Sequence, residues 1–258
     1  MIDTHCHLNI EPLQSKVDTI IKEASVSGIK QIIVPGIDIS SSLHATIIAD
    51  QYENIYAAVG VHPSEATQDT QGLMKDIRHL SQHRKVVAFG ETGLDNKYAE
   101  KVPLTIQTKL FIEHIQHAIE HQKSLIIHCR EAADQLLTIL ENNWNDRLIG
   151  KTVFHCCEPN EKLLEFAKLH SIYIGVDGDV TYNKEKQNFI KKVSLEMLVL
   201  ETDSPYLTPE PVRSQKKFPN EPTNLVFTAQ RLAELHKKSY EEILFITTNN
   251  ARTLFNLS

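Results

Sequence analysis

Eight short apolar runs, separated by longer amphipathic stretches, constrain this chain more than any other feature. The runs fall at residues 2–7, 30–35, 55–61, 85–90, 124–129, 152–156, 171–176 and 197–202, each the length of a strand. Helical patterns lie between them near 13–27, 41–52, 66–83, 104–122, 131–143, 160–170 and 184–193, with two more near 223–237 and 240–248. In the first of these Leu13, Val17, Ile20, Ile21 and Ala24 form one stripe, and Gly28 ends it. Continuous runs such as Ile32-Ile33-Val34 and Leu125-Ile126-Ile127 suit parallel strands covered on both faces, and alternating β and α elements favour a parallel sheet. Two architectures satisfy the pattern: a closed (β/α)8 barrel and a doubly wound open sheet.

The chemistry-bearing side chains separate these two. His5 and His7 lie in the first run, Glu91 follows Val86–Gly90, His128 follows Leu125–Ile127, His155 follows Thr152–Phe154 and Asp203 follows Met197–Leu200. Groups spread over five strand ends meet more naturally around the mouth of a closed barrel than at one switch point. The expected fold is therefore α/β, a single-domain (β/α)8 TIM barrel spanning residues 1–258.

Alternate side chains of a strand share a face, so His5 and His7 point the same way while Cys6 turns to the helical layer. Cys129 follows His128 in the same manner and should also pack as a small apolar group. Nitrogen and oxygen donors gathered at one mouth suit a divalent metal that activates water. Glu91 has two oxygens and can bridge two cations, with His5, His7 and Asp203 around one and His128 and His155 around the other. Each residue alone has an ordinary structural alternative: a helix cap for Glu91, a core histidine for His128, a turn before Pro205 for Asp203. Taken together those alternatives require six independent coincidences at strand ends.

Composition sets the outer limits. With 258 residues, 41% hydrophobic and 23% charged, the chain is long enough for one sizeable core. A net charge of -6 argues against broad attraction to a polyanion but leaves room for a local basic rim. Cys6, Cys129 and Cys156 each adjoin a candidate ligand, and Cys157 comes next, which is unlike a disulfide framework and points to a reducing cytoplasm. The chain opens on a strand with no cationic and apolar leader, and no run of about 18 apolar residues occurs, so neither export nor a membrane partner is expected. Phosphate-loop, dinucleotide and serine-elbow motifs are absent, which leaves a nucleotide cofactor and serine acyl chemistry without support.

The words around the ligands are more specific than the ligands. They are Gly60-Val-His-Pro63, Gly90-Glu-Thr-Gly-Leu-Asp95, His128-Cys-Arg130, Phe154-His155, Glu201-Thr-Asp-Ser-Pro-Tyr-Leu207 and Asn249-Asn-Ala-Arg-Thr-Leu-Phe255. Together they resemble the TatD family of metal-dependent deoxyribonucleases, within the amidohydrolase-like barrel superfamily, from Ile2 to about Leu257. The resemblance implies the same barrel, with His5, His7, Glu91, His128, His155 and Asp203 at the family's metal positions and Asn249–Phe255 as its closing helix. It also implies a DNA substrate, taken as single strands or ends. Two departures stand out: Cys156-Cys-Glu-Pro159 replaces a small residue followed by Phe-Ser-Gly, and Arg213-Ser-Gln-Lys-Lys217 replaces a shorter segment containing glycine.

Remaining roles follow from position. Asp203 and Glu91 are the expected catalytic residues, Asp203 as acceptor of the water's proton and Glu91 as the bridge. His62, Arg130 and Arg213 are expected to contact substrate, with a structural hydrogen bond, an ion pair and simple solvation as their alternatives. Glu201 should orient a ligand, and Cys157 is expected to pack rather than offer a thiolate. The loop at 210–222 should overhang the mouth. The expected function is a DNA phosphodiesterase using two divalent ions, Zn²⁺, Mn²⁺ or Mg²⁺. A hydrolase of a small amide, lactone or phosphoester is the first alternative, and a binding barrel with structural metals the second.

Overall fold

The computed structural model describes residues 1–257. Its strands are β1 (Ile2–Asp3), β2 (Gln31–Pro35), β3 (Ile55–Val59), β4 (Val86–Asp95), β5 (Ser124–Arg130), β6 (Thr152–Phe154), β7 (Tyr173–Val176) and β8 (Leu198–Leu200). They form one eight-stranded sheet in chain order, and every neighbouring pair is parallel. The two edges then meet. Cys6 bridges Ser204, Thr4 N donates to Leu200 O at 3.0 Å, Asp203 N to His5 O at 2.9 Å and His7 N to Ser204 O at 2.8 Å. The sheet is thus a nearly closed barrel, and its unbroken order has none of the reversal an open doubly wound sheet requires.

Among the described residues nine helices surround it: α1 (Val17–Val26), α2 (Ile39–Gln51), α3 (Thr70–Ser81), α4 (Leu104–His121), α5 (Ala133–Asn143), α6 (Glu161–His170), α7 (Lys184–Ile190), α8 (Leu225–His236) and α9 (Tyr240–Phe255). Local chemistry sets several starts. Asp38 and Ser41 form a capping box at α2, Asn160 accepts from Leu163 N at α6, and Ser239 with Glu242 forms a second box at α9. None of these helices is long and apolar enough to cross a membrane.

Alternation along the strands divides the core in two. Ile33, Ala58, Ala88, Ile126, Val153 and Val199 belong to one cluster, while Ile32, Val34, Leu125, Ile127 and Phe154 belong to a larger one shared with the helices. The first lies inside the barrel, because it has the strand parity of His128, His155 and Glu201. Ala251, Leu254 and Phe255 of α9 join it, so that helix seals the end opposite the mouth.

Three elements differ from expectation. β1 is regular only over Ile2–Asp3, after which backbone bonds to the β8 side carry the chain. β4 continues to Asp95, well past the expected end at 90, through a register shift between Phe89 and Thr92. α9 is one helix from Tyr240 to Phe255, joining the pattern near 240–248 to the closing helix that the resemblance implies at Asn249–Phe255, because Asn250 Nδ2 bonds Leu195 O and Leu198 O while Ala251, Leu254 and Phe255 are buried.

Candidate metal centre

Glu91 lies at the middle of the site because β4 bulges there. Gly90 and Gly93 have φ of 135° and 142°, and a Cβ on either would press on β5, against Ile126 O and His128 O respectively. Two glycines around Glu91-Thr92 therefore let the strand shift register and still lie against its neighbour. Glu91 N donates to Gly36 O at 3.0 Å, which ties the bulge to the loop after β2.

The two oxygens of Glu91 face different histidines. Oε2 is 3.3 Å from His5 Nε2 and 3.8 Å from His7 Nε2. Oε1 is 2.9 Å from His128 Nδ1, 3.7 Å from His155 Nε2 and 3.8 Å from His62 Nε2. Asp203 Oδ1 faces the same space, 3.5 Å from His7 Nε2, 3.7 Å from His155 Nε2 and 3.8 Å from His5 Nε2. All six residues expected at the mouth are brought together. His62, expected only near it, comes just as close.

Behind two of the histidines stand further carboxylates. His128 Nε2 is 3.0 Å from Asp95 Oδ2, and His155 Nδ1 is 3.1 Å from Glu201 Oε1. A partner on one ring nitrogen fixes which nitrogen is left for the mouth: Nδ1 of His128 and Nε2 of His155. Glu201 also accepts from Cys156 N at 2.6 Å and Thr4 Oγ1 at 3.4 Å, so it holds three elements at once. The orienting role anticipated for Glu201 has this geometry; Asp95, whose place in the sequence suggests an ion pair with Arg130, stands behind His128 in the same way.

Burial and neighbours set the charges. Burial would raise the Glu91 carboxyl, but His155, His128 and His5 hold it well below the usual carboxylate range. Burial opposes charge on His128 too, yet Asp95 and Glu91 bring its pKa up to about 8. For His155, burial is likewise outweighed by Glu201 and Glu91, and the value is about 10. His5 goes the other way, lowered by burial and by His155. His62 is lowered to about 4 by burial, with Glu91 opposing.

These positions fit a cation. His5 Nε2 and His7 Nε2 lie 3.2 Å apart and the His5 and His155 rings stack at 3.5 Å, an arrangement of like groups that gains by sharing a positive ion. Donors about 2.1 Å from a tetrahedral ion stand roughly 3.4 Å from one another, close to the observed spacing. Ligand atoms of His5, His7 and Asp203 form one triad of suitable size, and those of His62, Glu91 and His128 another.

The other expected residues are less central. Arg130 ends β5, is exposed, and makes no hydrogen bond or ion pair among the described residues. Arg213 is engaged elsewhere on the 210–222 loop, 3.6 Å from Glu210 Oε1 and with its guanidinium 4.3 Å over the Tyr182 ring. That loop docks on the one after β7, where Glu210 N donates to Thr181 Oγ1 at 2.8 Å. Cys157 is buried in the core shared with the helices, and burial pushes its thiol up to about 12, as packing requires. Cys6 and Cys129 are buried in the same core. All four cysteines are free.

A second buried cluster stands near the same mouth. Lys186 Nζ bonds Asp177 Oδ2 at 2.8 Å and is 3.5 Å from Asp179 Oδ1, and both Lys186 and Asp177 are almost fully covered. A lysine so deeply buried is almost always paired, but in a sequence it looks like any solvated helical lysine.

A barrel of this order, with His, Glu and Asp clusters able to bind metal at its mouth, defines a metal-dependent hydrolase. Residues 2–256 match the TatD related DNase family, and the chain belongs to it. It is 34% identical over 260 residues to the uncharacterized metal-dependent hydrolase YabD of Bacillus subtilis (strain 168), covering 100% of both chains. It is 29% identical over 264 residues to the 3′-5′ ssDNA/RNA exonuclease TatD of Escherichia coli (strain K12), again covering 100% of both. Among solved structures, the TatD homologue YjjV of Escherichia coli K12 superposes with a TM-score of 0.90 at 28% identity, over 100% of this chain and 98% of that one.

Proposed function

We propose that this chain is a nuclease that hydrolyses phosphodiester bonds of single-stranded DNA, or of DNA ends, with two divalent ions at the mouth of the barrel. One observation carries the reading: Glu91 turns one oxygen to His5 and His7 and the other to His128 and His155. That is how a carboxylate shared by two ions would be placed. The E. coli relative known as a 3′-5′ ssDNA/RNA exonuclease supports the choice of bond and substrate.

His5, His7 and Asp203 would hold one ion, His128 and His155 the other, and Glu91 both. When bound, such ions bring the pKa of water towards neutrality and neutralise charge on a phosphate. A donor set with four histidines suits Zn²⁺ or Mn²⁺ better than Mg²⁺. The protein's own groups do the rest. Asp203 turns Oδ1 to the histidines and keeps 14% of its side chain open, so it can accept a proton from attacking water and pass it outward. His62 Nδ1 accepts from Ser64 N at 3.1 Å, which leaves Nε2–H to donate. Burial holds that ring neutral near neutral pH, so it serves as a hydrogen-bond donor to a phosphate oxygen rather than as an acid. Arg130, exposed at the end of β5 and two residues beyond His128, would neutralise phosphate charge. Arg213 would do so only after leaving Tyr182 and Glu210. The chain would act as one unit over residues 1–258, and its free cysteines accord with a reducing compartment.

The test is cleavage of end-labelled single-stranded DNA by metal-depleted protein with Mg²⁺, Mn²⁺ or Zn²⁺ restored, beside Glu91→Ala. Metal-dependent laddering from one end that disappears in the variant is the expected result. No cleavage with any of the metals would overturn the nuclease reading in favour of a small-molecule hydrolase.

A further inference from the structure

The seven tyrosines divide into two groups. Five have partners. The Tyr52 hydroxyl donates to Asp18, Lys85 Nζ lies 4.8 Å over the Tyr56 ring, and Tyr173 packs against the cluster inside the barrel. Arg213 covers Tyr182, and the Tyr240 hydroxyl contacts Met1 Sδ at 3.7 Å. Tyr98 and Tyr206 are different. Among the described residues neither hydroxyl makes a hydrogen bond and neither ring carries a cation, and the two side chains remain 39% and 51% exposed.

Both unpartnered rings stand at the metal centre. Tyr98 closes the turn Asn96–Tyr98 directly after β4, the strand that presents Glu91. Tyr206 lies three residues beyond Asp203, whose carbonyl accepts from Tyr206 N at 2.8 Å. The Tyr98 ring is 6.2 Å from that of His62 at 86°, and the Tyr206 ring is 6.4 Å from that of His7 at 70°. Those two histidines face different oxygens of Glu91, each at 3.8 Å, so the rings flank the centre from two sides.

We propose that Tyr98 and Tyr206 are stacking faces for unpaired nucleobases, one on each side of the phosphate held over Glu91; this rests on the nuclease reading and adds its substrate contacts. An aromatic face beside a phosphate site accepts any base, because every base has a π-face. Bases within a duplex are already stacked on one another and do not present that face. The pair therefore selects single strands and frayed ends without selecting sequence. An acidic chain has particular need of such contacts, since its net charge of -6 contributes no general attraction to a polyanion.

The experiment compares wild type, Tyr98→Ala, Tyr206→Ala and the two Tyr→Phe variants. KM and kcat are measured on a single-stranded oligonucleotide with Mn²⁺ restored, and binding to metal-free protein is followed by 2-aminopurine fluorescence. Each arm is repeated with an abasic oligonucleotide of the same length, and metal content and melting temperature are recorded. The expected result is a KM about 10-fold higher for each alanine variant, with kcat within about 2-fold, and near wild-type values for phenylalanine. On the abasic strand, wild type and alanine variants should be indistinguishable. An equal loss on both strands would overturn the proposal, because the tyrosines would then act on the backbone or on the fold. Unchanged KM and fluorescence in the alanine variants, with DNA still cut, would overturn the stacking faces and leave the nuclease reading standing. A wild type that neither binds nor cuts either strand would overturn both.

Discussion

Two buried polar clusters stand at the mouth of this barrel, and they are put together on opposite rules. In the Lys186 cluster opposite charges touch. Burial would lower Lys186, but Asp177 and Asp179 hold it above its usual value, while Lys186 holds Asp177 well below the carboxylate range despite burial. Burial and Asp177 push Asp179 up to about 8, so at neutral pH the group has one positive and one negative charge. In the Glu91 cluster like groups touch. Five imidazoles crowd two carboxylates, with His5 and His7 nitrogens 3.2 Å apart and the His5 and His155 rings stacked at 3.5 Å. The first cluster neutralises itself and needs nothing more. The second gathers more donors than it can pair among themselves and is able to bind a metal, and that difference separates a structural ion pair from a candidate site.

Four changes would break or sharpen the contrast. The largest effect is expected from Asp203→Asn, which should lower kcat by about 10² to 10⁴-fold while leaving the denaturation midpoint of the metal-free protein nearly unmoved. A collapse in stability instead would make Asp203 part of the frame. Lys186→Met should do the reverse. It strands Asp177 in the interior and should cost about 3 to 5 kcal/mol in urea unfolding, with kcat per folded molecule retained, and Asp177→Leu beside it should recover much of the loss. Metal removal by a chelator should abolish hydrolysis and lower Tm, and readdition to about 100 times Kd should restore about 2.7 kcal/mol. Asp95→Asn should weaken metal affinity by about 10 to 100-fold, read by competition with a metal indicator, because His128 loses the partner that fixes its ring.

The smallest effect concerns pH. His128 has a pKa raised from 6.5 to about 8, so its protonated form stabilises the metal-free protein fully below 6.5 and this contribution is lost as pH rises through 8. A metal must displace that proton. Affinity should therefore climb about 10-fold per unit between pH 6.5 and 8 for each proton released, and flatten above 8 as far as His128 is concerned. Calorimetry in two buffers of different ionisation enthalpy would count the protons, and release of none at pH 7 would contradict the assignment of His128 as a ligand.

How much of this was legible in the sequence depended on whether the signal was local. The eight strands were, because each is a run of apolar residues, and so were the six residues at their ends. The extension of β4 was not, since Gly90 and Gly93 read as punctuation when they in fact permit a bulge. The stretch of α9 past 248 was legible only through the resemblance, since Asn249-Asn250 are weak helix formers, stabilised here by bonds from Asn250 to residues far back in the chain. Asp95 was visible as part of a word but its bond to His128 needed two strands in register. Lone aromatics in loops have no period, so Tyr98 and Tyr206 could be recognised only by what surrounds them.

The seam that closes the barrel also sets a clock. Asp3 accepts hydrogen bonds from Thr202 N and Thr202 Oγ1, 199 residues away, and the next bonds along that seam run between the backbones of His5, His7, Asp203 and Ser204. During synthesis at about 5 to 20 residues per second, His5 and His7 are therefore made roughly 10 to 40 s before their counterparts on the other edge exist. The helix that seals the barrel floor is made later still. Until the ring is complete, His5 and His7 lack the Asp203–Ser204 edge that fixes their backbone, so the site is among the last parts of the molecule to be assembled.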